Sequence, residues 1–249
     1  LRSFVLTTYL IFQSWASANT YIVASQDFDY YPHYDFSAPT DKGFIWSVLE
    51  AYSAYSGDTF IYQSMPVMRL QIELEKGTVD LIYPDNPLFT SAVKKYYSET
   101  VVTTVGGTIL PPNDVGKGID RIKRLSLPLG FTPQIGWNDR LQEGRLKLEE
   151  VNDCLSALQM VTMGRSQAAD VDFFVAKHLS RAYPALGQFT LDPDLPHAPV
   201  KFMLATVKQR ALIDKINGFL SSHPGLIEEL KHRYGLEDPE LVFKRLEQH

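Results

Sequence analysis

Residues 65–87, MPVMRLQIELEKGTVDLIYPDNP, place a helix, a glycine stop and a short buried strand in direct succession. Val67, Leu70, Ile72 and Leu74 are the apolar positions of the helix, and Glu73, Glu75 and Lys76 its solvated ones. Gly77 is the residue type that ends a helix in the left-handed conformation. Val79, Leu81, Ile82 and Tyr83 then read as a strand, with Asp80 inside it, and Pro84-Asp85-Asn86-Pro87 closes it. A helix feeding so short an apolar strand belongs in an α/β sheet. In a parallel sheet, ligands gather at the carboxyl ends of the strands.

Upstream, Tyr21–Ala24 reads as a buried first strand, followed by an aromatic, turn-rich segment, SQDFDYYPHYDF. A helix is predicted from Asp41–Phe44 to about Ser56, with Ile45, Val48, Leu49 and Tyr52 at helical spacing. Thr59–Tyr62 is the second strand. The order strand, helix, strand, helix, strand implies a parallel sheet with right-handed crossovers. Downstream, Ser91–Tyr97 reads as a short helix and Val101–Leu110 as a long strand. Strands are predicted at Leu125–Gly130, Leu146–Glu149, Ala169–Phe174, Phe189–Leu191 and Lys201–Ala205. Phe131-Thr132-Pro133 reads as a helix start, with Thr132 as cap and proline in the first turn. Asp153 caps a helix running through Met163, and further helices are predicted over 175–183, 207–221 and 224–234, with a last turn at 241–246.

Composition narrows the function classes. A chain of 249 residues, 45% apolar and 21% charged, has material for a sizeable core in one domain or two lobes. Its net charge of −5 argues against a nucleic-acid partner. Cys154 is the single cysteine, and the six histidines show no zinc-binding spacing. Residues 1–18 read as a secretory signal: Arg2, an apolar run from Phe4 to Phe12, and the cleavage signature Ala16-Ser17-Ala18. The alternative is a short buried N-terminal helix. With cleavage before Asn19 and no cysteine following, the expectation is a periplasmic protein that is not lipid-anchored.

Several motifs together resemble the type II periplasmic solute-binding proteins, the amino-acid-binding class also described as extracellular solute-binding protein family 3. Gly77, Val79 and Asp80 match its helix, Gly, x, Val-Asp-hydrophobic segment. Tyr31-Pro32-His33-Tyr34 matches its aromatic-Pro-x-aromatic loop, and Ser98–Thr100 lies where the family carries Phe-Ser-x-Pro-Tyr. The resemblance implies an α/β fold of two lobes, each a mostly parallel sheet flanked by helices, joined by two hinge crossings. The expected division is residues 1–18 as signal peptide, 19–110 plus 200–249 as lobe 1, and 111–199 as lobe 2. The crossings fall at Pro111–Asp114 and Leu195–Pro199. It further implies a monomer without cofactor, holding a small-molecule ligand for an ABC permease.

The candidate ligand-binding residues are Tyr31, Arg69, Asp85, Gly130, Phe131, Thr132 and Asp172. Tyr31 stands at the mouth of the implied cleft, or packs in a surface loop of aromatics. Gly130-Phe131-Thr132, at a helix start, would offer free N–H groups to an anion, or Thr132 would simply cap. Asp172 stands where the family's Gly-Arg-Val-Asp-Ala-x-x-x-Asp places the partner of a ligand ammonium. Ser166 and Gln167 replace Val-Asp there, and the register also admits Asp170. The family's carboxylate-gripping Arg is missing near Thr90-Ser91. Arg69 is then a substitute, a neutraliser of Asp85, or a surface residue. An acidic, aromatic cleft of Tyr31, Asp85 and Asp172 would suit a cationic ligand instead. Enzyme readings are weaker. Gly164-Arg165-Ser166-Gln167-Ala168 lacks the final Gly and the strand, turn, helix order of a nucleophile elbow. Three functions fit: a transport binding protein for an amino-acid-like or cationic-amine solute, a periplasmic sensor or receptor partner, and a dehydratase-type enzyme on the same fold.

Overall fold

The computed structural model describes residues 18–89 and 93–246. The predicted signal peptide, residues 1–18, therefore lies outside the described residues except for its last residue, as does the segment Thr90–Ser91. The chain opens with β1 (Thr20–Gln26), α1 (Phe44–Ser56), β2 (Thr59–Met65), α2 (Val67–Lys76) and β3 (Leu81–Asp85). β1 pairs in parallel with β2 on one side and β3 on the other, as the alternation required. Gly77 sits at φ +80° and closes α2, its N–H donating to the carbonyls of Glu73 and Leu74. Asp80 stands just before β3. Its carboxylate takes the Ile22 N–H at 2.8 Å and the Gln209 amide at 2.8 Å.

The chain continues with β4 (Tyr96–Tyr97), β5 (Val102–Leu110), β6 (Arg124–Pro128), α3 (Asn138–Gln142), β7 (Lys147–Val151) and α4 (Cys154–Thr162). It ends with β8 (Ala168–Asp172), α5 (Phe173–Ala182), β9 (Thr190–Leu191), β10 (His197–Thr206), α6 (Arg210–Ser222), α7 (Pro224–Arg233) and α8 (Pro239–Leu246). In the second lobe β7, β6 and β8 are parallel, and β5 runs antiparallel to β8. β10 serves both lobes. Its first part, His197–Phe202, pairs with β5, and its last part pairs with β3 and β4. The fold is α/β with two lobes, each built on a largely parallel sheet, as the resemblance implied.

One core cluster runs through both lobes, from Val23, Phe44 and Leu49 to Leu158, Val171 and Phe174. Smaller clusters lie under α2, around Leu70, Leu74 and Ile82, and around the fully buried Trp137. Among the described residues no helix is long and apolar enough to cross a membrane.

Four expectations need correction. Residues 131–134 are not a helix start: Gln134 is extended, its N–H donates to the Asp170 carboxylate, and a 3-10 turn at Ile135–Trp137 precedes the short α3. Thr132 has no helix to cap, because Gln134 is drawn to the Asp170 carboxylate in extended geometry and the turn begins only at Ile135. Tyr96 and Tyr97, expected in a helix, form β4 against β10. Strand β8 stops at Asp172 rather than Phe174, because the Asp172 carboxylate accepts the Phe174 and Val175 N–H groups and starts α5 there. The proline-bearing segment before Lys201 is already strand from His197 onward, with Pro199 opposite Val105.

Candidate functional site

The lobes meet where the loop after β6 lies over the first turn of α2. Gly130, at φ +85°, comes so close that a Cβ there would stand 3.9 Å from the Val67 side chain. Two residues further into α2, Arg69 is 67% exposed, with Glu73 3.8 Å away. α2 begins after Pro66 with no side-chain cap. A helix start of this kind favours negative charge. Thr132 is exposed at the same loop. Gly130 and Phe131 therefore lie at the contact between the lobes, whereas Arg69, two positions along α2 from Val67, stands on a different face of the helix.

Phe131 fills that region with its own ring. It stands 5.8 Å from Phe28 and 6.0 Å from Tyr30, both in the segment after β1. Tyr30 is almost fully buried and stacks on Tyr34 at 5.2 Å, with Phe202 at 6.3 Å. Burial pushes the Tyr30 and Tyr34 hydroxyls well above the ordinary tyrosine range. Aromatic side chains of both lobes thus meet at this contact. Phe28 and Tyr30 were missed in the sequence, where they lie in a turn-rich segment past the end of β1 with no periodicity to mark an inward face.

Tyr31 packs against α5 and the end of α7. Its ring lies 4.6 Å from His178 and 5.7 Å from Tyr234, and its hydroxyl donates to Asp41 at 3.3 Å. Both candidate acids are engaged internally. Asp85 is buried and ion-paired with the equally buried Lys95, a residue the sequence did not single out. Asp172 takes four contacts: the Phe174 and Val175 N–H groups, the Thr104 hydroxyl, and His33 Nε2 at 3.1 Å. His33 Nε2 also lies 3.1 Å from Thr104 Oγ1, while its buried Nδ1 has no hydrogen-bond partner among the described residues. This is not a nucleophile–base–acid relay, which would place the acid on one imidazole nitrogen and the hydroxyl on the other. It is a buried polar link from the loop after β1 to the start of α5.

Asp170, the alternative to Asp172, is buried beneath the loop that carries Phe131. Burial drives its carboxyl up to about 7, only partly opposed by its hydrogen bonds with Gln134. Among the described residues no group of His, Cys, Asp and Glu side chains is placed to hold a metal ion.

No family model matches the sequence, and no curated protein matches it. Solved structures do resemble it. The periplasmic VFT2 domain of Bordetella pertussis BvgS is 19% identical, with a TM-score of 0.67 over 86% of this chain and 93% of that one. The substrate-binding protein of an amino acid ABC transporter is 17% identical, with a TM-score of 0.67 over 86% and 98%. The ancestral amino-acid-binding protein AncCDT-1, a precursor of cyclohexadienyl dehydratase, is 20% identical, with a TM-score of 0.66 over 86% and 95%. This chain therefore has the two-lobed fold of the type II periplasmic solute-binding proteins.

Proposed function

We propose that this chain is a periplasmic solute-binding protein that takes a small polar solute between its lobes and presents it to an ABC permease. Its lobes would comprise residues 19–110 plus 200–249 and 111–199, after removal of a signal at 1–18. The observation that carries this reading is the meeting of loop 129–134 with the uncapped start of α2 beside the exposed Arg69. Closure is stabilised only by a ligand that touches both lobes, and this is where both can be touched. An amino-acid-like solute fits better than a cationic amine. Asp85 and Asp172 already hold internal partners, whereas Arg69 and the α2 N-terminus remain open to a carboxylate.

Thermal and chemical unfolding against amino acids, small carboxylates, polyamines and quaternary amines tests this. A carboxylate-bearing ligand at a hundredfold excess over its dissociation constant adds roughly 2.7 kcal/mol. Arg69→Ala removes most of that gain. Stabilisation by polyamines alone, undiminished in Arg69→Ala, would sink the assignment.

A second reading, a sensor or receptor-partner module without a permease, is favoured by the aromatic contact of Phe28, Tyr30 and Phe131 between the lobes. It predicts that no compound shifts the unmodified chain. Phe131→Ala then lets the lobes part, read as a larger radius of gyration in small-angle scattering. An unchanged radius in that variant counts against it.

A further inference from the structure

Away from the interlobe contact, a cavity of about 650 Å³ opens beside α5. Lys177 and Arg181, one helical turn apart, supply its charge, and Val115, Phe189, Leu191 and Leu246 supply apolar wall. None of the described residues that line it is an Asp or Glu, in a chain with 29 acids against 24 Lys and Arg. Its volume lies within the range of small-molecule sites, which combine apolar walls with a few placed polar groups.

The two cations are not equivalent. Lys177 Nζ stands 3.7 Å from Glu237 and 5.2 Å from the Phe173 ring centroid, so its charge is partly answered. Arg181 is exposed and makes no ion pair among the described residues. The carboxylates of Glu237 and Glu229 are committed elsewhere, to Lys177 and Arg245 and to Arg233. A guanidinium with no ion pair among the described residues, at a cavity whose wall is largely apolar, repels cations and offers a planar fork to a carboxylate.

We propose that this cavity binds an amphipathic carboxylate, its charged end held by Arg181 with Lys177 in reach, and its hydrocarbon or aromatic body laid against Phe189 and Leu191. The site shares no residue with loop 129–134 or α2 and stands independently of the interlobe reading.

Isothermal titration of the full chain with octanoate, 3-phenylpropionate and uncharged 1-octanol tests it. Circular dichroism verifies that each variant is folded. The carboxylates are expected to bind saturably, with 1-octanol roughly tenfold weaker or more, as loss of a charge-assisted contact requires. Arg181→Ala weakens the carboxylates by a similar factor. So does Val115→Asp, which sets a like charge in the cavity at an exposed position after a 3-10 turn. Three results would overturn the proposal: no saturable binding to the folded chain, equal binding of 1-octanol, or a loss that follows Arg69→Ala rather than Arg181→Ala.

Discussion

Asp170 and Asp85 show how the same side chain meets two fates. Asp85 ends β3 and is buried against Lys95, so the two charges answer each other. Asp170 is nearly as buried but has hydrogen bonds without a counter-charge, and its carboxyl rises from 3.8 to about 7. A carboxyl whose folded value is raised binds a proton that the unfolded chain has already released. Stability from this group is therefore full at low pH and falls as pH rises from about 4 to 7, by roughly 4 kcal/mol at 1.36 kcal/mol per unit. Asp170→Asn keeps an acceptor for the Gln134 N–H and cannot ionise. Urea unfolding at pH 5 and pH 7.5 is expected to show the variant gaining on the unmodified chain as pH rises. A stability difference independent of pH would refute the assignment. Neither environment was legible in the sequence. Lys95 lies ten residues past Asp85 in a segment with no periodicity, and only the fold brings the two together.

At the scale of elements, α4 and α5 begin with the same device and carry different loads. Asp153 accepts the Ser156 N–H, its one side-chain hydrogen bond among the described residues. Asp172 accepts two N–H groups of α5 and also closes the link to His33 and Thr104. Asp153→Ala should cost about 1 kcal/mol, the usual worth of a cap. Asp172→Ala should cost about 3 kcal/mol or more, because it also leaves buried polar partners unsatisfied. Equal losses in chemical denaturation would show that the His33 link contributes nothing. The cap of α4 was readable because Asp153 and Ser156 are neighbours in sequence. The cap of α5 was misread as strand, since Phe173 and Phe174 continue the apolar run and only the carboxylate ends it.

At the scale of the molecule, one core cluster passes through both lobes and β10 is shared between their sheets. Lobes joined in this way should unfold together. Trp46 in α1 and Trp137 in the second lobe make the test direct. Variants retaining only one tryptophan, with Trp15 and the other replaced by Phe, are expected to report the same urea midpoint. Two separate midpoints would mean that the lobes are independent cooperative units.

The sequence by itself determined the elements whose causes are local. The apolar spacing of α1, the Gly77 stop, the short strands and the Asp153 cap each depend on residues within a few positions of one another. Their alternation in turn required parallel sheets. The tertiary structure decided what lies across the cleft. Whether Tyr30 or Tyr31 turns inward, whether Phe131 starts a helix or packs against Phe28, and whether Asp85 and Asp172 stay open to a ligand depend on partners from 10 to 139 residues away. Local propensity carries no information about such partners. Only the packed chain removes water from these groups and selects which of them remain free.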